Sequence, residues 1–355
     1  MRVLHVIPTL RGGGAERQLV YLAGGLRTLG CDVHVATLDG GTNLRRLEAT
    51  QATLHHLNAR GNYDPRIVLR LVQLIRRIKP DVVQTWITQM DVFGGLAALL
   101  TGTPWILSDR SSGAHYERNL REALRRMIGR HAKTVIANSE PGLHGWEDVR
   151  GLVIRNAVMF DEIEQAPRDT TDYGDAKVVL FAGRLGPEKN VPTLLHAVRE
   201  VMAQRDVIAL LCGTGPNEKE IHALVAEGPY RERIHLLGFC ENLPSLMKRA
   251  DMLVAPSWYE GHPNVSIEAA AAGCPLVVSD IPAHRGWLDD DSALFAPPDD
   301  PHAFALAIMK TLDEPEATRR RVERARELVS GWSLEAASTA YFRVYEELRA
   351  ERAGA

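Results

Sequence analysis

Tyr259-Glu260-Gly261-His262-Pro263-Asn264-Val265-Ser266-Ile267-Glu268-Ala269-Ala270-Ala271-Ala272-Gly273 decides how this chain is read. Ahead of it, Met252-Leu253-Val254-Ala255-Pro256-Ser257 is a short apolar run of the kind that forms a buried parallel strand. Pro263 suits a first helical position, and Gly273 followed by Pro275 supplies a stop, so a helix is predicted over residues 264–272. A helix that opens just past a strand's carboxyl end turns free backbone N–H groups and its positive dipole end toward a crevice, where a diphosphate is well received. Glu268 lies about one turn in, on the order of 6 Å along the axis, a suitable offset from a diphosphate to a ribose. Glu260, in the loop ahead, is placed to accept hydroxyls of a sugar. Taken alone, the two carboxylates are equally compatible with a solvated helix residue and a loop charge.

A chain of 355 residues exceeds what one core usually holds, so two domains are expected. Its 45% hydrophobic and 25% charged content is that of an ordinary soluble globular protein. A formal charge of −3 gives no global case for nucleic acid as a partner. Cys31, Cys212, Cys240 and Cys274 show neither metal-ligand spacing nor a pairing framework, and are read as small buried hydrophobes in a reducing cytoplasm. The opening run Val3-Leu4-His5-Val6-Ile7 is too short for a signal segment or a membrane span.

Apolar strand-like runs alternate with helical patterns from end to end, which predicts an α/β protein with parallel sheets. The first set of strands falls at 2–8, 32–38, 53–58, 81–87, 104–109, 134–138 and 151–155, with helices near 15–28, 65–78, 90–100 and 117–131. Asp161–Ala176 loses the apolar period and reads as a linker. A second set follows at 177–184, 207–212, 234–238, 251–256, 276–279 and 293–295. Two Rossmann-like halves result, residues 1–160 and 161–332, facing across a cleft. The tail carries Leu334, Ala337, Tyr341, Val344, Tyr345 and Leu348 at helical spacing, so residues 333–355 are predicted to cross back onto the first half.

Glycine turns and cations mark the strand ends. Gly12-Gly13-Gly14-Ala15-Glu16-Arg17 opens a helix after the first strand, where glycine lets backbone approach a ligand. It is not the G-x-G-x-x-G dinucleotide fingerprint. At the matching point of the second half stands Gly183-Arg184-Leu185-Gly186-Pro187-Glu188-Lys189-Asn190. Arg184 offers a planar fork and Lys189 a point charge for phosphate oxygens. Cys212-Gly213-Thr214-Gly215-Pro216 forms another tight turn, and Leu237-Gly238-Phe239-Cys240 ends the next strand within reach of a base. Each of these motifs has an equally good structural reading when taken singly.

Together, and in this order, they resemble the retaining glycosyltransferases of family 4, the group 1 glycosyl transferases, over essentially the whole chain and most closely from 178 to 300. The resemblance implies the GT-B fold and a metal-independent enzyme that moves a sugar from a nucleoside diphosphate to an acceptor hydroxyl with retention. The expected product is a cell-surface polysaccharide, glycolipid or lipid-linked glycan, formed by transfer of hexosyl or N-acetylhexosaminyl type. The nucleotide sugar is a substrate, not a cofactor, and a UDP-sugar is expected ahead of a GDP-sugar. By position, Arg184 and Lys189 hold the diphosphate, Glu268 the ribose and Glu260 the donor sugar. Gly183, Gly213, Gly215, Gly238 and Phe239 line the nucleotide, while Gly261, His262, Asn264 and Val265 line the sugar and phosphate, and Gly13 and Gly14 approach from the other domain. No metal site is expected.

Two departures from the family pattern stand out. Members commonly carry a histidine just after the strand corresponding to Trp105-Ile106-Leu107-Ser108; this chain has Asp109-Arg110-Ser111-Ser112 there, and His115 follows. On the acceptor side, either Arg110 takes over an electrostatic role or His115 reaches in, and His115 reads equally well as a surface histidine. Ala283-His284-Arg285-Gly286 stands where relatives often have a glutamate, and no role is assigned to Arg285. Arg118, Arg121, Arg125, Arg126, Arg130 and Lys133 accompany an apolar side of Leu120, Ala123, Leu124, Met127 and Ile128. Such a basic amphipathic helix either rests on an anionic membrane, at its inner face, or is an ordinary solvated domain helix. A catalytically silent sugar-nucleotide-binding subunit and a nucleotide-sugar epimerase of the same fold are the competing readings; both carboxylates and both cations argue against a silent one.

Overall fold

Arg2–Val6 enters the interior as β1 because Val3, Leu4 and Val6 are apolar and fully buried, and its backbone groups find partners in parallel strands on both sides. The computed structural model describes residues 1–110 and 120–354. In the first unit β1 is joined by β2 (Asp32–Thr37), β3 (Thr53–His56), β4 (Val82–Trp86), β5 (Trp105–Asp109), β6 (Thr134–Ala137) and β7 (Gly151–Val153). They form one parallel sheet in the order β3-β2-β1-β4-β5-β6-β7. The second unit holds β8 (Lys177–Ala182), β9 (Val207–Cys212), β10 (Ile234–Gly238), β11 (Met252–Ala255), β12 (Leu276–Ser279) and β13 (Leu294–Ala296). Their order is β10-β9-β8-β11-β12-β13, again all parallel. In each sheet the order reverses beside the first strand of the set, between β1 and β4 and between β8 and β11. Ligands of open α/β sheets sit at such reversals, beyond the strands' carboxyl ends.

The principal helices are α1 (Gly14–Thr28), α2 (Arg66–Ile78), α3 (Thr88–Thr101), α4 (Leu120–Gly129), α5 (Phe160–Gln165), α6 (Asn264–Ala272) and α7 (Leu334–Gly354). The chain separates into Met1–Ala157 with Trp332–Ala355, and Val158–Gly331. The tail returns to the first unit as predicted: Tyr341, Val344, Tyr345 and Leu348 join the core that α1 builds on one face of the first sheet.

Two expectations need correcting. The stretch read as a linker begins with α5, which buries Ile163 and packs on α6; Lys248 Nζ caps its end by donating to Glu164 O and Ala166 O. A six-residue helix needs few apolar positions to hold it, here Ile163, so it leaves no apolar period in the sequence. In α4 the sides are partly exchanged. Arg125 is buried, its Nε 2.7 Å from Asp91 Oδ2, Nη2 3.3 Å from Asp109 Oδ2 and Nη1 3.4 Å from Glu122 Oε1, whereas Leu120 and Met127 are 75% and 58% exposed. Burial holds the Asp91 carboxyl up at about 6 against the pull of Arg125.

Candidate donor site of the second unit

The loops at the β8/β11 reversal carry the predicted residues, and backbone hydrogen bonds lock them together. After β8, Pro187–Lys189 forms one 3-10 turn that ends at Asn190 in the left-handed region, φ 52°. Asn190 is buried, and its Nδ2 donates to Pro256 O at 3.1 Å and Pro298 O at 2.6 Å. Trp258 N donates to Glu188 O at 2.9 Å. The loop after β8 is thus tied to the loop after β11, and the tie brings Lys189 to Glu260. Lys189 Nζ lies 2.5 Å from Glu260 Oε1, and Ser257 Oγ donates to the same oxygen at 2.8 Å. Glu260 Oε2 has no hydrogen bond among the described residues, so one oxygen of the carboxylate is fixed and the other is left unbonded by them.

Arg184 behaves differently. It pairs with Glu188 at 2.6 Å, and its side chain is 65% exposed. An exposed pair of this kind contributes roughly 0.2–1 kcal/mol, little enough for a ligand phosphate to displace it. Arg184 and Lys189 share a loop but not a partner.

Helix α6 runs over Asn264–Ala272 as the sequence predicts, closed by Gly273 at φ 77°. Pro263 is the capping residue just before the helix and not its first member. Asn264 N donates to His262 O at 2.9 Å. His262 is buried, while Gly261, Asn264 and Val265 are partly exposed around the helix start. Glu268 is half-buried in the second turn.

The glycines of the second unit have a packing reason of their own. A Cβ on Gly213 would come 1.8 Å from Gly183 O, and one on Gly215 within 2.5 Å of Leu185 O. Gly183 N donates to Cys212 O and Leu185 N to Thr214 O, each at 2.9 Å, so the two loops run backbone to backbone. Gly238, at φ 64°, accepts from Gly213 N at 2.6 Å and precedes Phe239, which is 59% exposed. Leu237 and Phe239 leave an uncovered apolar surface at the end of β10, the chemistry a nucleobase stacks on.

In the first unit Gly13 caps α1 and Gly14 begins it. Arg110, expected on the acceptor side, ties the returning helix to the sheet. Its Nη1 donates to Asn156 Oδ1 at 2.7 Å, its Nη2 to Tyr341 Oη, and the guanidinium stacks 4.4 Å over Trp86. His115 lies outside the described residues. Arg285, assigned nothing, bridges Asp280 and Asp290 on the surface, both at 2.7 Å.

Sequence reading missed Ser257, Asn190, Ser279 and His284. Of these only Asn190 carried a local signal, since asparagine tolerates the left-handed turn that ends a helical segment.

Residues 162–328 match the family described as Glycosyl transferases group 1, and residues 12–154 match Glycosyltransferase Family 4. The chain belongs to glycosyltransferase family 4. As a family 4 glycosyltransferase it is 26% identical to the lipopolysaccharide core biosynthesis glycosyltransferase LpsE of Rhizobium meliloti, over 94% of this chain and 96% of that protein. It is 29% identical to the alpha-D-kanosaminyltransferase of Streptomyces kanamyceticus, over 51% of this chain and 48% of that one. The match thus spans about half the length of the kanosaminyltransferase and nearly all of LpsE. The fold is that of Anabaena HepE, solved in complex with UDP-glucose, with a TM-score of 0.87 at 19% identity over 98% of this chain and 100% of that one. The family 4 chain therefore has the GT-B architecture, and the α/β class with two parallel sheets read from its sequence holds.

Proposed function

We propose that this glycosyltransferase moves a sugar from a nucleoside diphosphate, a UDP-sugar first, to a hydroxyl of a polysaccharide or lipid-linked glycan precursor, with retention at the anomeric carbon. The observation that carries the reading is the fixed Lys189–Glu260–Ser257 group at the sheet's reversal point, with Ser257 and Glu260 in the loop that leads from β11 into α6. The name of LpsE and the UDP-glucose bound to HepE support the same class of acceptor and donor.

Chemically, the diphosphate is a good leaving group only if its developing charge is met. Arg184, the ammonium of Lys189 and the amides at the start of α6 meet it without a divalent metal. Glu268 takes the ribose hydroxyls. Glu260, one oxygen held by Lys189 and Ser257, accepts a hydroxyl of the sugar with the other, which orients the ring while it gains oxocarbenium character. A carboxylate already bonded to a lysine is a poor nucleophile, so Glu260 is a positioning group. The departing diphosphate oxygen takes the acceptor proton on the face it leaves, which gives retention.

The first unit takes the acceptor in this reading. Helices α2, α3 and α4 pack side by side; Leu69, Leu96, Leu99, Leu100, Leu120 and Met127 are exposed on them, as are Arg76 and Arg77, and Arg130 and Lys133 are exposed just past the end of α4. An apolar surface mixed with basic groups suits an anionic membrane carrying a lipid-linked acceptor. No helix among the described residues is long and apolar enough to cross a membrane. The direct test offers radiolabelled UDP-sugars with a lipid extract or glycan acceptors and follows label into product, with and without a chelator. Transfer that survives the chelator supports the reading; label released only to water, or none at all across UDP, GDP and ADP sugars, contradicts it.

A further inference from the structure

Behind the Glu260–Lys189 pair lies a second layer that the reaction scheme does not use. His284, at the end of the short helix Pro282–Arg285, is fully buried. Its Nδ1 lies 2.9 Å from Ser279 O. A carbonyl only accepts, so Nδ1 carries the proton and donates. Ser279 Oγ, 3.3 Å from the same nitrogen, donates to Ser257 O at 2.7 Å. Ser257 Oγ in turn donates to Glu260 Oε1. A line of hydrogen bonds thus runs from the end of β12, through the loop after β11, to the carboxylate that Lys189 holds from the other side.

The ring has no evident reason to be a histidine on packing grounds. Its Nε2 is buried and has no hydrogen-bond partner among the described residues. An apolar side chain of similar size would fill the space without that unmet acceptor. What histidine adds is the Nδ1–H. Burial keeps the ring neutral; Glu260 and Asp280 oppose that and Lys189 reinforces it, so the charges of the site reach this ring.

We infer that His284 is a positioning residue for the donor sugar: through Ser279 and Ser257 it fixes the oxygen of Glu260 that Lys189 also holds, and so aims the second oxygen at the sugar. The inference rests on the donor-site reading given above. A residue acting this way leaves the nucleotide alone and changes only the steps that involve the sugar.

The test measures turnover, KM for the UDP-sugar and Kd for UDP in His284→Phe, His284→Asn and Ser279→Ala. Asparagine can place a donor near Nδ1; phenylalanine cannot. The expected result is a fall of about 10–100-fold in kcat for His284→Phe, with Kd for UDP within about 2-fold of the parent and most of the loss recovered by His284→Asn. Ser279→Ala, a change of one oxygen that preserves the fold, should lose about 3–10-fold in kcat and be less than additive with His284→Phe. Equal loss in UDP binding and turnover, or parental kcat in Ser279→Ala and His284→Phe, overturns the inference. If the parent itself transfers no sugar, the donor-site reading falls first, and the two failures are thereby distinguished.

Discussion

Lys189 and Glu260 stand 71 residues apart in the chain and meet at 2.5 Å, Nζ to Oε1, at the point where the second sheet reverses its strand order. Neither side chain is more than one-fifth exposed. The pair organises the loops in two ways: it offsets the charge of the Glu260 carboxylate, and it fixes the position of an ammonium that has two more protons to donate.

Arg184 sits on the same loop but is largely exposed, so its loss should leave the fold intact. Arg184→Ala is expected to lower kcat by about 100–1000-fold, the scale of one lost charge-stabilising donor, while melting temperature moves by less than a degree or two. Steady-state kinetics beside a melting curve checks both at once.

Glu260→Gln retains size and one accepting oxygen but loses the ion pair. Binding of UDP alone should persist within a few-fold, while transfer falls by at least about 100-fold. A calorimetric titration with UDP and a transfer assay on one preparation separate the two; a comparable loss in both would mean that Glu260 serves the nucleotide.

Gly213 is fixed by the close approach of Gly183 O, and its φ of 145° lies outside the usual range for other residues. Gly213→Ala should cost about 1–3 kcal/mol of stability as the two loops part, read as a melting temperature lower by several degrees. Activity should fall with it, since the displaced loop carries Arg184 and Lys189.

His5 supplies the pH dependence. Trp86 Nε1 donates to its Nδ1 at 3.1 Å, and burial first, then Arg110, drives the imidazole down to about 3. The folded protein therefore keeps His5 neutral while the unfolded chain protonates it near 6.5. The resulting stability is present above pH 6.5 and is lost as pH falls toward 3, a swing of roughly a few kcal/mol. Asp91, held up to about 6, works in the opposite sense over part of that window. Comparing urea midpoints at pH 7.5 and 5 in the parent and in His5→Gln isolates the histidine; the variant should show the shallower acid loss.

How much of this was legible in the sequence differs by element. β9, β10, β12 and α6 fall where apolar period, glycine and proline place them, because each is bounded by local chemistry. The α5 segment and the burial of Arg125 did not show, since what decides them is a partner from elsewhere: α6 for the one, Asp91 and Asp109 for the other. The two glutamates could be paired with sugar-nucleotide chemistry from their spacing and resemblance. That Lys189 closes on Glu260, with Ser257, Ser279 and His284 behind it, depends on three strand ends meeting, which no spacing along one loop reveals.

The central claim is that a nucleoside-diphosphate sugar seats at the β8/β11 reversal with its ribose on Glu268. Thermal shift with UDP, GDP, ADP and their sugar conjugates, on the parent and on Glu268→Ala, tests it most directly. At about 100 times Kd, bound ligand adds roughly 2.7 kcal/mol, a rise of several degrees. The account predicts that rise for the parent with a uridine ligand and its loss at the same concentration in Glu268→Ala. No shift with any nucleotide, or an equal shift in both proteins, would contradict it.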